Sequence, residues 1–353
     1  MKPVSFFIGI WISLIFVSSL NAQSHPEFPP AAFTASEKLP AGLLSGKSVV
    51  IIKDDEHRWK EKAEIIHRKI RDYGVDAIAY FHVSEFNSGI EIRRLFAENL
   101  KKREVRFIVL FDFRQGNVVL NITEFNKTHT FYHTGQESWT ITAADLDQCM
   151  TVLYRKIGQS KLKLRNFLVA EVPEYFEDVH LIRASRNEQF ARDLKLDKMA
   201  VVLQPYLTMP DNSENEAVKA FNQRLREDSV QLRTVMESYP FEYEIIPYTE
   251  DEESLRTQGF HFILYHVYNS GEDVKSYLNY KINPNETGYI SVQKSGGKPS
   301  LKTIPREEKV YKYYVKHIYT RDIYLGKDWD ADQDWKVALL NYIAGLKQAT
   351  GVK

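Results

Sequence analysis

One cysteine, Cys149, is all that 353 residues contain. No intrachain disulfide can form, and a core of this size needs none. Net charge is absent too, since 47 Lys and Arg balance 47 Asp and Glu. A protein held on nucleic acid by bulk charge needs a cationic excess, so no nucleic-acid partner is expected. Glycine (16) and proline (13) are sparse, which excludes collagen-like and low-complexity chains. Past residue 20 no apolar run approaches the about 20 residues of a membrane-spanning helix. The ten histidines include no His-Glu-x-x-His pair, and there is no Gly-x-Ser-x-Gly elbow, so neither a metal nor a cofactor is expected. What is present is ordinary globular composition, 43% hydrophobic and 27% charged with 20 Tyr and 20 Phe. The length fits about two domains.

The amino terminus carries an address. Met1-Lys2-Pro3 is a short basic start, Val4 to Leu20 an apolar run, and Ala22 in Asn21-Ala22-Gln23 a small residue suited to cleavage. This is the pattern of a secretory signal peptide over 1–22. The chain is therefore expected to be exported, periplasmic or secreted, with no transmembrane span once the signal is removed. Without a Cys near the junction, a lipoprotein anchor is excluded. Cys149 falls on the apolar stripe of a helix beside Asp145 and Asp147, which points to an inert core thiol.

The remaining chain divides by pattern. Residues 23–47 form a Pro-rich leader, read as extended or laid along the body as a strand. In 48–159, β-branched runs at Ser48 to Lys53, Asp76 to Phe81 and Val105 to Phe113 alternate with helix-period segments. A Gln115-Gly116 turn and further strand material, including Thr128 to Thr142, follow. Ala144 to Ile157 closes the unit as a helix with Leu146, Cys149, Met150, Leu153 and Ile157 on one face. In 199–353 the order recurs: strands at Met199 to Gln204, Phe241 to Tyr248 and Phe260 to Tyr268, an Asn269-Ser270-Gly271 turn, and a returning strand at Val274 to Ile282. More strand lies at Tyr311 to Tyr324, and a helix at Asp332 to Gln348. Residues 160–198 between them are too apolar for a free linker and are expected to pack across both halves. The fold class is α/β (α+β): two similar β-α-β-α-β-β-β-α halves with mixed sheets and helices packed on them. This element order, and stretches such as Tyr132 to Ile157, resemble the N-terminal α/β domain of periplasmic TolB-type proteins. The resemblance implies an envelope interaction module.

Ala41-Gly42-Leu43-Leu44-Ser45-Gly46-Lys47-Ser48 satisfies the relaxed phosphate-loop pattern, with Gly46, Lys47 and Ser48 as its nucleotide-binding residues. A working loop follows a buried strand and opens a helix. Here the apolar strand comes after the motif, so the pattern is read as a loop entering the first strand. Asp328, Asp330, Asp332 and Asp334 begin like a calcium loop, but Gln333 replaces its glycine and Leu339 its closing glutamate. Capping of the following helix explains them better. His129 and His133 read as strand, which puts them roughly 13 Å apart, too far to grip one ion. Lys309 to Tyr324 places Tyr311, Tyr313, His317 and Tyr319 on one strand face. These four pack a core or, if exposed, form a platform for a glycan or peptide ligand. The function these features favour is that of an exported, non-catalytic envelope protein, a binding or interaction module for an envelope protein or glycan. The alternatives are a hydrolase with its site in the cleft between the halves and a nucleotide-binding protein.

Overall fold

The computed structural model describes residues 31–54, 59–167, 169–175, 184–210, 214–249, 251–295 and 297–352. The expected signal peptide over 1–22 and the start of the Pro-rich leader lie outside them. Mixed α/β content is observed, as expected. The first half runs β1 (Thr34–Ser36), β2 (Lys47–Lys53), α1 (Trp59–Asp72), β3 (Asp76–His82), α2 (Val83–Phe86), α3 (Ile90–Lys102), β4 (Val105–Arg114), β5 (Asn117–Glu124), β6 (Glu137–Ala143) and α4 (Leu146–Gln159). The second runs β7 (Arg186–Asn187), β8 (Lys198–Leu203), α5 (Glu216–Met236), β9 (Tyr243–Pro247), α6 (Glu252–Thr257), β10 (Phe260–Ser270), α7 (Gly271–Tyr277), β11 (Gly288–Gln293), β12 (Ser300–Pro305), β13 (Lys309–His317), β14 (Ile323–Tyr324) and α8 (Trp335–Thr350).

The first sheet has the order β1-β6-β5-β4-β2-β3 and the second β7-β14-β13-β10-β8-β9. Strand directions match as well. The central pairs β2–β4 and β8–β10 are parallel, β4–β5 and β10–β13 antiparallel, and both edge pairs β1–β6 and β7–β14 parallel. The likeness is one of topology. The second half differs by inserting α7 and the two-stranded β11–β12 sheet between β10 and β13.

Each sheet is covered on both faces, which is why β2 and β4 read as unbroken apolar runs. On the outer face of the first sheet, α1 buries Ala63, Ile66 and Ile70 at helical spacing, and α4 buries Cys149, Met150 and Leu153. On the outer face of the second, α8 buries Trp335, Ala338, Leu339, Tyr342, Ile343 and Leu346 beside Val235 and Met236 of α5. The inner faces share one continuous core. Val49 and Ile51 of β2, Ile92, Leu95, Phe96 and Leu100 of α3, Leu255 of α6, Ile263 and Tyr265 of β10 and Tyr314 of β13 all belong to it. The first two turns of α3, from Glu91 to Ala97, are therefore buried between the sheets apart from a half-buried Arg94. The described part of the connector divides between the halves. Arg165 N–H donates to Leu44 O and Asn166 Nδ2 to Gly74 O in the first half, while β7 pairs with β14 in the second.

Two expectations need correction. Strand is absent from 128–136, because Asn126 folds that segment locally: its Oδ1 accepts from Thr128 N and its Nδ2 donates to Thr130 Oγ1. His129 and His133 thus lie in a turn. Val274 to Ile282 is not the returning strand. Ser270 Oγ accepts from Asp273 N and starts α7 instead, so the partner of β10 is β13, which begins at Lys309 and not at Val274. Strands β11 and β12 were not foreseen at all.

The α2–α3 junction docks the halves together. Tyr268 N–H donates to Ser88 O at 2.9 Å, and Asn269 Nδ2 to Ser88 Oγ at 3.1 Å. Gly89 has φ 132°, a region that only glycine occupies comfortably, and a Cβ there would stand 2.6 Å from His266 O. Gly116, in the β4–β5 turn, also has positive φ but nothing within 4 Å. Gly89→Ala should therefore lower stability by about 2–4 kcal/mol and Gly116→Ala by about 1 kcal/mol, read as urea midpoints. Equal midpoints for the two variants would remove the docking role of Gly89.

Candidate functional site

Helix α3 opens with about two turns of mixed character: Ile90, Ile92, Leu95 and Phe96 with Glu91, Arg93 and Arg94 among them. In the inner layer these charges must find partners or remain uncompensated. Two of them do find partners. Arg94 grips Glu91 with two nitrogens at 2.7 and 2.9 Å and also reaches Glu98. Lys316 Nζ, from β13, donates to Glu91 at 2.8 Å and to both oxygens of Glu252 on α6. Tyr265 O–H donates to Glu252 Oε1 at 2.9 Å. Burial alone would raise the Glu91 carboxyl, but Lys316 and Arg94 overcome it and hold the group down at about 2. Three carboxylates, Glu91, Glu98 and Glu252, are bonded here to two cations, Arg94 and Lys316.

Arg93 is different. It is 1% exposed, and its Nε and Nη1 have no hydrogen-bond partner among the described residues. Burial pushes its guanidinium down to about 10, so it stays charged at neutral pH. The groups acting on it electrostatically in the other direction are the tyrosines Tyr248 and Tyr132, not a carboxylate.

Arg93 and Ile90 form one wall of a cavity of about 230 Å³. The second half supplies the rest. Val201 to Pro205 come from the end of β8 and beyond, Pro247 from β9, Leu264 and His266 from β10, and Tyr311 and Tyr313 from β13. Leu225, Asp228, Ser229 and Leu232 come from α5, and Trp335 from α8. The topology explains the position. β8 leaves toward β9 and β10 toward β13, so the two connections part at their carboxyl ends, where α/β sheets open a crevice. The last β8–β10 pair is Val201 with Leu264, while β10 continues to Ser270. The α2–α3 junction fills part of the vacated edge, and the cavity occupies the rest.

His266 sits in this gap. Burial first, and then the Arg93 charge, hold its imidazole down at about 4, so it is neutral at pH 7. Its Nε2 and the Gln204 Oε1 have no hydrogen-bond partner among the described residues. Ser229 Oγ is committed to its own helix, donating to Arg226 O at 2.9 Å. The walls offer a largely apolar chamber with one unpaired guanidinium, the Asp228 carboxylate on the α5 side and a few orphaned polar atoms, which is the make-up of a binding pocket.

The residues singled out from sequence are scattered. Gly46, Lys47 and Ser48 lead straight into β2. Lys47 Nζ donates to Arg103 O at 3.0 Å and Ser48 is buried in the strand. A strand, not a helix, follows the loop. Tyr311, Tyr313, His317 and Tyr319 do not form one exposed platform. Tyr311 and Tyr313 are buried and wall the cavity. At the far end His317 Nδ1 accepts from Tyr319 N and Thr320 N, and the exposed Tyr319 ring lies 3.3 Å under the Arg256 guanidinium. In the acidic run, Asp334 caps α8, while Asp328 pairs with Lys294, Asp330 with Lys312 and Asp332 with Lys302. Cys149 is buried, and burial with the Asp145 charge pushes its thiol up to about 12. Sequence reasoning missed Arg93 and His266. A signal existed for Arg93, which lies on the helical stripe of Ile90, Ala97 and Leu100. Comparison of the chain with family models, curated proteins and solved structures finds no match.

A pH dependence follows from His266. Its folded value of about 4 lies below the ordinary 6.5, so the unfolded chain takes up the proton first. Stability is full above pH 6.5 and is lost as pH falls toward 4, by on the order of 3 kcal/mol from this group. His67 and His317, also held below their ordinary value by burial, add to the same slope. Urea midpoints between pH 7 and 4 should fall less steeply in His266→Phe than in the native chain. Superimposable profiles would show that His266 takes up its proton equally in both states.

Proposed function

We propose that the chain is an exported, non-catalytic binding protein that holds a small ligand in the cavity between α3 and the carboxyl end of the second sheet. One observation carries this reading: a fully buried guanidinium with unpartnered nitrogens forms a wall of a largely apolar cavity. Burying such a charge without a partner is costly. A chain that retains it while neutralising Glu91, Arg94, Glu252 and Lys316 one turn away keeps it for something that arrives. Export rests on Met1-Lys2-Pro3, the Val4 to Leu20 run and Ala22. The TolB-like order of elements agrees with an envelope role in which the loaded or empty state is read by a partner. A hydrolase would draw on His266, Asp228 and Ser229 in the same cavity. Against it, the serine hydroxyl is engaged by Arg226 O, and no hydrogen bond joins it to His266 among the described residues.

Thermal-shift screening with small acids, amines and neutral aromatics tests the reading. At hundredfold excess over Kd, a bound compound should raise the midpoint by roughly 5 °C. Ser229→Phe, placed on a half-buried wall position, should abolish that rise without unfolding the chain. If no class shifts the native protein, or if the shift survives Ser229→Phe, the cavity is not a binding site.

A further inference from the structure

We infer that the ligand is a monoanionic carboxylate on a compact apolar body, with its carboxylate on Arg93. This rests on reading the cavity as a binding site and adds the chemistry of what fills it. The sign comes from the pairing around α3, where Glu98 too is bonded to Arg94 and not to Arg93. Glu91 and Glu252 are satisfied by Arg94 and Lys316, with Tyr265 completing Glu252. No carboxylate of that group is left to serve Arg93, and none among the described residues pairs with it.

The magnitude comes from the surroundings. His266, beside Arg93, is neutral and not a second cation. Asp228, on the α5 wall, adds negative charge. A dianion such as a phosphate monoester would be left half compensated, whereas one carboxylate matches one guanidinium and can engage two of its nitrogens. The orphaned His266 Nε2, carrying the ring proton, can donate a further hydrogen bond to the carboxylate. The rest of the ligand meets Val201, Leu264, Tyr313 and Trp335, so it must be apolar, and a flat ring suits the aromatic walls. Size follows from volume. A cavity near 150 Å³ takes benzene, so one of about 230 Å³ takes on the order of nine to ten non-hydrogen atoms.

Phenylacetate has this size and charge. Its methyl ester removes the charge, and phenethylamine inverts it. Isothermal titration of the full chain with all three, on native protein, Arg93→Met, Arg93→Lys and Ser229→Phe, tests the inference. Phenylacetate should bind the native chain at least tenfold tighter than the ester, with no binding of the amine. Arg93→Met should erase the preference for the acid, and Arg93→Lys should keep part of it. Removing a buried charge that has no partner should also raise the thermal midpoint of the ligand-free Arg93→Met chain. Ester binding as tight as acid binding, still blocked by Ser229→Phe, would overturn the carboxylate inference and leave the binding site standing. An Arg93→Met chain that is less stable or does not fold would overturn it too, because Arg93 would then be structural. If none of the three probes binds the native chain, or if their binding ignores Ser229→Phe, this inference fails together with the binding site.

Discussion

A charged helix shut between two sheets sets the terms for this molecule. The inner core closes around α3 from both halves, so the charges at Glu91, Arg93 and Arg94 cannot be left to water. Glu91 and Arg94 answer each other, and Lys316 from the other half joins Glu91 to Glu252. The junction of the halves is therefore polar at its centre and apolar around it. An apolar junction tolerates sliding, whereas a hydrogen-bonded charge group has one register. The glycine at 89, pressed on the His266 carbonyl, fixes the same register from the backbone side. Arg93 shares the backbone of that fixed helix, and its guanidinium stands on the cavity wall.

The two sheets share a strand order and depart from it in one place, the α7–β11–β12 insertion. That insertion is held by charge as much as by apolar contact. Lys302 on β12 reaches Asp332, Lys294 after β11 reaches Asp328, and Asn341 of α8 accepts from the backbone of Lys294 and Ser295. The acidic run before α8 is thus a set of anchors for the insertion and for β13. Its last member, Asp334, caps the helix. One short segment ties three elements together.

What the sequence made legible was periodic or local. The stripes of α4 and α8, the apolar strands β2, β4 and β10, the helix start at Asp334 and the inert thiol at Cys149 all follow from spacing and neighbours. Misreadings arose where a side chain redirected the backbone. Ser270-Gly271-Glu272-Asp273 is a helix start, but the apolar residues after it looked like a strand. The partners of Lys312 and Lys316 were beyond reach, since Glu91 is 225 residues from Lys316. The spacing that places Arg93 on a buried stripe was visible. That nothing opposes it is a property of the assembled halves, and no window of sequence contains it.

The edge strand β1 has a consequence for the order of folding. Thr34 to Ser36 pairs with Glu137 to Trp139, about a hundred residues further on. A chain emerging amino end first holds its first strand ready long before the partner exists. Parallel pairing over such a separation closes late, because a large loop must be ordered before any contact rewards it. The first sheet can be sealed at that edge only after β2 to β6 have assembled, so its amino-terminal segment remains unstructured through most of chain delivery. Until then Thr34 to Ser36 has no strand to join.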